Sequence, residues 1–252
     1  MNVKEALIQY CLRLGDDSMV LGHRLSELCS NGPYLEEDIA MTNISLDLFG
    51  QTRTIFDYAC EVEGEGRTQD DLAYKRHEHE FRSALLTEQP NGHFGNTMAR
   101  QLVYSTFYYH LFKELATSPD EKLAAFAAKS IKETAYHLRH AGEWVVRLGD
   151  GTEESHWKIQ DAFNDIWSYR HELFEKDEVD STLIEAGIIP DTAKIKDAFE
   201  NSIKEVLDRA TLESPAEGWK ATGGRKGIHS EYLGHILAEF QSIVREYPNS
   251  KW

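Results

Sequence analysis

The sequence predicts an all-α protein in one domain spanning residues 1–252, with long helices arranged as an up-and-down bundle and extra helices on its flanks. Three observations point to this class. Only six prolines occur in 252 residues, long segments repeat apolar residues at three- and four-residue spacing, and no segment alternates apolar and polar residues as a strand would. The short connections between long helices predict that neighbouring helices are antiparallel.

Four helices are predicted in the first half of the chain, at about residues 2–30, 35–63, 69–87 and 96–116. The first three are each followed by residues typical of a turn. These are Asn31-Gly32-Pro33 after the first, Gly64-Glu65-Gly66 after the second, and Gln89-Pro90-Asn91-Gly92 after the third. The fourth predicted helix is rich in aromatic residues and ends shortly before a proline at position 119.

The second half opens with Ser118-Pro119-Asp120-Glu121, which has the pattern of a capping box with proline at the first helical position. The helix that follows is predicted to run to residue 148 and to end at Gly149-Asp150-Gly151. Small residues in its apolar stripe indicate close contact with another helix. Further helices are predicted at about 153–176, 181–186, 191–211 and 230–246.

Composition excludes several classes of function. The formal net charge of −16 disfavours a nucleic-acid binder, whose phosphate contacts need clustered Lys and Arg, and it disfavours adhesion to anionic lipid. The three cysteines form no C-x-x-C pair, which indicates a reducing compartment. No apolar run approaches the ~18 residues of a membrane span, and the charged opening residues do not resemble a signal peptide. We therefore expect a cytoplasmic protein.

Polar residues interrupt the predicted apolar stripes, and a buried polar residue needs a partner or a function. The interrupting residues are Asp17 and Ser18 in the first helix, Asp47 and Gln51 in the second, Ser105 in the aromatic helix, and Arg170 near the end of the 153–176 helix. Inward carboxylates in a helical bundle suggest a carboxylate-bridged dimetal site. Such a site takes Glu from two helices and Glu-x-x-His from two others.

The spacing of the candidate ligands does not match that pattern. Asp17 and Asp47 have no His three residues on, and Ser105 offers only a hydroxyl where a third helix would present a carboxylate. Glu133 is followed by Tyr136 at i+3, and His137 comes one position later. We therefore expect Asp17, Asp47, Ser105, Glu133 and His137 to be degenerate dimetal-site positions, with no metal bound. By its helical phase, Glu133 is expected to face solvent or a partner.

Without a metal, Asp47 needs another counter-charge if it is buried. An internal ion pair with Arg170 is one prediction, and a histidine such as His137 is an alternative. A third interpretation places Asp47 at the edge of the core, where it binds water or a backbone donor.

Two weaker signals lie outside the bundle stripes. Lys75, Arg76 and Arg82 cluster on one predicted short helix, which indicates either contacts to an anionic ligand such as coenzyme A or an ordinary charged face. Residues 223–227, Gly-Gly-Arg-Lys-Gly, superficially resemble a phosphate-binding loop. They lack the Walker spacing and a preceding strand, so a flexible turn or docking loop is the favoured interpretation.

A resemblance to a known family rests on several longer runs. They are LRLGDDSMVLGHRLSEL, NISLDLFGQTR, EGEGRTQDDLAYKRHEHEFRSALLTEQPNGHFGNTMARQ, AKSIKETAYHLRHAGEWVVRLGDGT and ATGGRKGIHSEYLGHILAEFQ. Together they resemble the C-type phenylacetate degradation proteins, which are the non-catalytic ferritin-like subunits of ring 1,2-phenylacetyl-CoA epoxidases. The resemblance implies a ferritin-like fold and a structural role beside a catalytic A subunit that carries the di-iron centre. It supplies no catalytic residues and no cofactor for this chain.

The resulting hypothesis is a structural and interaction subunit, with no activity expected from this chain alone. Its expected partners are the catalytic A subunit and other subunits of the complex, and self-association stays open. Tyr104, Tyr108 and Phe126 lie off the main stripes and are predicted interface residues. Two rival hypotheses remain. One is an oxidase or oxygenase holding its own metals through Asp17, Asp47, Glu133 and His137, and the other is an acyl-CoA-binding module using Lys75, Arg76 and Arg82.

Overall fold

A computed structural model describes residues 1–248 and residue 250, and over this range it contains helices and no strand. The all-α prediction is confirmed. The α-helices are α1 (Val3–Ser26), α2 (Leu35–Glu63), α3 (Gln69–Tyr74), α4 (Leu85–Glu88), α5 (Phe94–Leu115), α6 (Glu121–Gly149), α7 (Glu153–Ile166), α8 (Glu178–Glu185), α9 (Ala193–Arg209), α10 (Glu231–Phe240) and α11 (Ser242–Glu246). Within these residues, no helix combines the length and apolar character needed to cross a membrane.

Helices α1 and α2 form the first antiparallel pair of the bundle. The Ser45 hydroxyl donates to the Gly22 carbonyl oxygen at 2.7 Å, and the Thr52 hydroxyl contacts the Gly15 carbonyl at 3.3 Å, so rising numbers in α2 meet falling numbers in α1. A Cβ at position 15 would lie only 2.2 Å from the Phe56 ring. Glycine at this position therefore allows the two helices to approach closely.

Helices α5 and α6 form the second antiparallel pair. The Phe94 ring lies 5.1 Å from Trp144, and the Phe112 ring lies 5.4 Å from Phe126 at the opposite end. Across the bundle, α2 runs antiparallel to α6 and α1 runs antiparallel to α5, so the neighbouring pairs among these four long helices are antiparallel as expected. Along the chain, however, the directions are up, down, down, up, because residues 64–93 return the chain along the bundle between α2 and α5.

The interface predicted at Tyr104, Tyr108 and Phe126 is wrong, since these side chains are only 2–5% exposed. Their helices have no free face at these positions. Helix α5 is enclosed by α1, α6, α7 and α9. The Tyr104 hydroxyl lies 3.3 Å from the Ser18 hydroxyl, and Phe126 packs on the Phe112 ring. The aromatic residues of α5 therefore form core contacts.

Two predicted helices are divided in the structure. The segment 69–87 contains α3, a short 3-10 helix at Glu78–Glu80, and α4, while the segment 153–176 is α-helical only to Ile166 and continues as a 3-10 helix over Trp167–Phe174. In both cases the backbone turns to meet buried charged groups. The backbone N–H of Arg82 donates to Asp16 at 2.7 Å, and the carboxylate of Glu172 accepts from the backbone N–H of Leu85 at 2.7 Å.

Helix α10 docks on the bundle through His23, and this contact predicts an acid-dependent loss of stability. The His23 ring stacks on Phe240 at 4.2 Å between centroids and meets the edge of Phe49 at 4.9 Å. Burial lowers the pKa of His23 from 6.5 to about 4. Because the folded-state pKa is the lower one, this contribution to stability is complete above pH 6.5 and is lost as the pH falls toward 4.

At pH 4.5 the expected loss from His23 is about 2–3 kcal/mol relative to pH 7.5. The H23F variant keeps an aromatic ring and removes the titrating group. Urea unfolding at both pH values should therefore show a smaller acid-induced loss in H23F than in the unmodified chain. Equal losses in the two proteins would reject the role of His23.

Candidate functional site

Asp17, a predicted ligand position, is fully buried and forms an ion pair with Arg225. The two terminal nitrogens of Arg225 donate to the two Asp17 carboxylate oxygens at 2.9 and 2.7 Å. The same carboxylate accepts from the backbone N–H of Ala84 at 2.6 Å and from the Tyr108 hydroxyl. Burial, with a further contribution from the Asp17 charge, raises the pKa of Tyr108 well above its usual value. All of these hydrogen-bond donors to the Asp17 carboxylate belong to this chain.

Arg225 reaches Asp17 from a segment that we call the C-terminal strap, residues 221–230. The strap turns tightly around a 3-10 helix at Gly224–Lys226, and Gly223 and Gly227 take positive φ angles of 128° and 76°. A Cβ at position 224 would lie 2.1 Å from the Ser83 carbonyl oxygen. The segment is a turn, as one part of the interpretation had it, and it packs against the bundle, because Arg225 and the Gly224 backbone face buried partners.

Three further buried carboxylates hold the same region, and with Asp17 we call them the carboxylate clamp: Asp16, Asp17, Glu88 and Glu172. Asp16 pairs with Arg76, Glu88 binds both His229 and the backbone N–H of Ser230, and Glu172 accepts from the backbone N–H groups of Leu85 and Gly224. Burial raises the pKa of Glu172. The clamp joins α1, the 64–93 crossover and the C-terminal strap.

The remaining degenerate dimetal-site positions lie between α2, α5 and α6, apart from the clamp. The carboxylate of Asp47 is 3.0 Å from Nε2 of His137, and this carboxylate is 38% exposed whereas His137 is buried. Glu133 accepts from the Gln51 amide at 2.9 Å and is partly buried at the same seam. Ser105 is fully buried and accepts from the Gln101 amide at 2.9 Å.

These side chains do not fit a dimetal centre. Such a centre takes about four carboxylates and two imidazoles converging on two cations. Over residues 1–248 and 250, no three His, Cys, Asp or Glu side chains come together as a metal-binding group. Asp47 has one imidazole neighbour, Glu133 faces an amide, and Asp17 is neutralised by a guanidinium.

The predicted Asp47–Arg170 ion pair does not form. Arg170 lies in the 3-10 segment that follows α7, where its guanidinium stacks 3.9 Å from the Trp167 ring centroid and pairs with Glu217. The prediction assumed that α7 continues to residue 176 with an unbroken helical phase. The change to a 3-10 helix at Trp167 directs Arg170 to a different part of the molecule.

The predicted cationic cluster at Lys75, Arg76 and Arg82 is also wrong as a free anion-binding face, because α3 ends at Tyr74 and the three residues diverge. Lys75 pairs with Asp71 at 2.6 Å. Arg76 is buried against Asp16 and stacks 4.2 Å from the Phe81 ring centroid. The Arg82 guanidinium binds the carbonyl oxygen of Phe81 and the side chain of Gln9. Their donors are engaged within the fold.

Sequence reasoning missed Arg225 as the partner of Asp17 because the two residues are 208 positions apart. A weak signal was present. An aspartate in an apolar stripe requires a counter-charge, and an arginine between glycines can approach a buried group closely because glycine leaves space around the backbone.

Comparison with known proteins agrees with the helical architecture. Residues 1–252 match the model of the phenylacetic acid catabolic protein family. The chain is 46% identical over 246 residues to the C subunit of 1,2-phenylacetyl-CoA epoxidase from Escherichia coli (strain K12), and the match covers 98% of this chain and 99% of that relative. A family match over the whole length, joined to near-complete coverage of this relative, shows that the chain belongs to the phenylacetic acid catabolic protein family.

Proposed function

We propose that this chain is a structural subunit of a phenylacetyl-CoA epoxidase complex and supports a catalytic di-iron A subunit. The observation that carries the proposal is the 46% identity to the C subunit of an epoxidase across nearly the full length of both chains. The same proposal places the reaction in the partner, assigns no cofactor to this chain and predicts contacts with other subunits of the complex. A cytoplasmic location is part of it and rests on the cysteine usage.

The geometry of the bundle supports a role without chemistry of its own. Asp17, a fully buried candidate ligand, is committed to Arg225, Tyr108 and a backbone N–H. Two carboxylates remain at the α2–α6 seam, Asp47 and Glu133, and each already has a partner. A four-helix bundle whose candidate ligands are paired with other side chains of the same chain suits a subunit that contributes a stable surface for binding other subunits.

Reconstitution tests the proposal. Turnover of phenylacetyl-CoA should be measured for the A subunit alone, for this chain alone, and for the two together, with the reductase supplied each time. We expect efficient turnover only from the combination, because the described residues of this chain bring together no three His, Cys, Asp or Glu side chains that could hold a metal ion. Turnover by this chain alone would reject the proposal, as would full activity of the catalytic partner without it.

Metal analysis of the purified chain distinguishes the proposed structural subunit from the main rival hypothesis, an oxidase or oxygenase that holds its own metals. An oxygenase with its own site would hold near-stoichiometric iron or manganese that is lost in the D47A variant. We expect equally low metal content in the unmodified chain and in D47A, because Asp47 has only one imidazole as a neighbouring ligand. Stoichiometric metal that depends on Asp47 would favour the rival.

A further inference from the structure

Helix α2 carries apolar side chains on its outward face as well as on its core face. We call Leu35, Ile39, Asn43, Leu46 and Gly50 the outer stripe. They follow one another at three- and four-residue spacing and therefore lie on one side of the helix. Leu35 is 71% exposed, Ile39 is 53% exposed and Leu46 is 61% exposed. Tyr136 of the neighbouring α6 is also exposed.

The outer stripe is not needed to hold α2 in the bundle. The opposite face of α2 already buries Ile44, Leu48 and Ile55 against the core. Scattered exposed apolar residues are normal on a protein surface, but a row of large ones at helical spacing is typical of an interaction site. The spacing from Ile39 to Asn43, Leu46 and Gly50 is that of a seam between two packed helices.

Gly50 gives an independent indication of a missing neighbour. Glycine is the least favourable residue in a helix interior apart from proline, so it usually has a packing reason. Gly15 and Gly22 have such reasons, because a Cβ there would meet the rings of Phe56 and Phe49. A Cβ at position 50 would meet nothing within 4 Å, and the residue has no positive φ. No contact among the described residues therefore explains the glycine at position 50.

The charge of α2 indicates which kind of protein could bind the outer stripe. Residues 34–52 contain four carboxylates, those of Glu36, Glu37, Asp38 and Asp47, and no Lys or Arg. Glu37 and Asp47 each contact a histidine of α6, His140 and His137, but no Lys or Arg of this segment offsets the four carboxylates. A second copy of this chain docked symmetrically through the stripe would bring these acidic segments together, and like charges across an interface are unfavourable. A different chain with Lys or Arg beside its apolar residues would be complementary.

We propose that the outer stripe of α2 docks an α-helix of another subunit, whose apolar residues are flanked by Lys and Arg and whose backbone approaches closely at Gly50. The inference rests on the proposed function, since it supplies the surface through which this chain would join the catalytic subunit. The Leu and Ile side chains provide the apolar area, and the glycine allows the two helix axes to come close.

Two variants test this docking surface. The measurement is the affinity of each variant for the co-expressed catalytic partner. In G50Q the added side chain blocks close approach, and L46R places a charge in the apolar stripe. We expect each to weaken binding at least tenfold. Because Gln is a better helix former than Gly, isolated G50Q should keep or raise its thermal midpoint. W157R, which changes an exposed apolar residue on α7, is the matched control and should bind normally.

The outcomes separate the docking surface from the proposed function. Normal binding by both G50Q and L46R would overturn the assignment of this surface while leaving the proposed function in place. Failure of the unmodified chain to bind the catalytic partner would overturn both. If the unmodified chain alone is a dimer that L46R converts to monomers, the occupant is a second copy and the proposed heteromeric contact is overturned.

Discussion

Replacement of Arg225 by methionine is expected to lower the free energy of unfolding by about 3–5 kcal/mol, because it leaves Asp17 as a buried charge without its partner. Asp17 is fully buried, and both of its carboxylate oxygens accept from the Arg225 guanidinium. Tyr108 and the Ala84 backbone N–H would still donate to it, but neither carries a compensating charge. Urea unfolding followed by far-ultraviolet circular dichroism measures the loss.

A double-mutant cycle separates this ion pair from general disturbance of the C-terminal strap. In a D17N background the residue left behind is neutral, so R225M should cost clearly less than it does alone. R209M is the matched control, since Arg209 is exposed on α9, and it should change stability by less than about 0.5 kcal/mol. An equal cost of R225M in both backgrounds would show that its effect does not act through Asp17.

Substitution of Gly224 by alanine is expected to cost about 2–3 kcal/mol, close to the upper range for overpacking a buried site. The new Cβ would lie 2.1 Å from the Ser83 carbonyl oxygen and 3.3 Å from the Leu85 nitrogen, both backbone atoms that cannot rotate away. The strap would have to move outward, which would lengthen the bond from the Gly224 N–H to Glu172. Urea unfolding and limited proteolysis of residues 221–230 would report these two effects.

Gly218 provides the control for this substitution. A Cβ at position 218 meets nothing within 4 Å, and this residue has no positive φ. G218A should therefore retain the stability and protease resistance of the unmodified chain. Should G224A behave in the same way as G218A, the close packing of the strap on Ser83 would not contribute to stability.

Local sequence patterns predicted the long bundle helices well. Helix α2 begins and ends at the predicted residues, because Pro33 lies just before it and Gly64 takes a left-handed φ of 74° that ends it. Helix α6 begins at Glu121, two residues after the predicted start at Pro119, because Asp120 is the N-cap and its side chain accepts from the backbone N–H groups of Lys122 and Leu123. Caps and breakers act over a few residues, so the sequence carries their signal directly.

The segments that deviate from prediction depend on distant partners. Periodicity alone favoured one helix over 69–87, but the chain unwinds after Tyr74 so that Arg76 and the Arg82 backbone can reach Asp16. Likewise, α7 ends at Ile166 and Glu172 turns toward Leu85 and Gly224. Neither the absence of a free cationic face nor the Arg225–Asp17 pair is readable from helical phase, because helical phase describes one helix at a time.

The distance along the chain between Asp17 and Arg225 has a consequence for biosynthesis. A ribosome adds about 5–20 residues per second, so the 208 positions that separate the two residues take roughly 10–40 s to translate. During that interval α1 and α5 can emerge, but Asp17 still lacks its guanidinium. The nascent chain is therefore expected to complete its native packing only once residues 221–230 have left the exit tunnel.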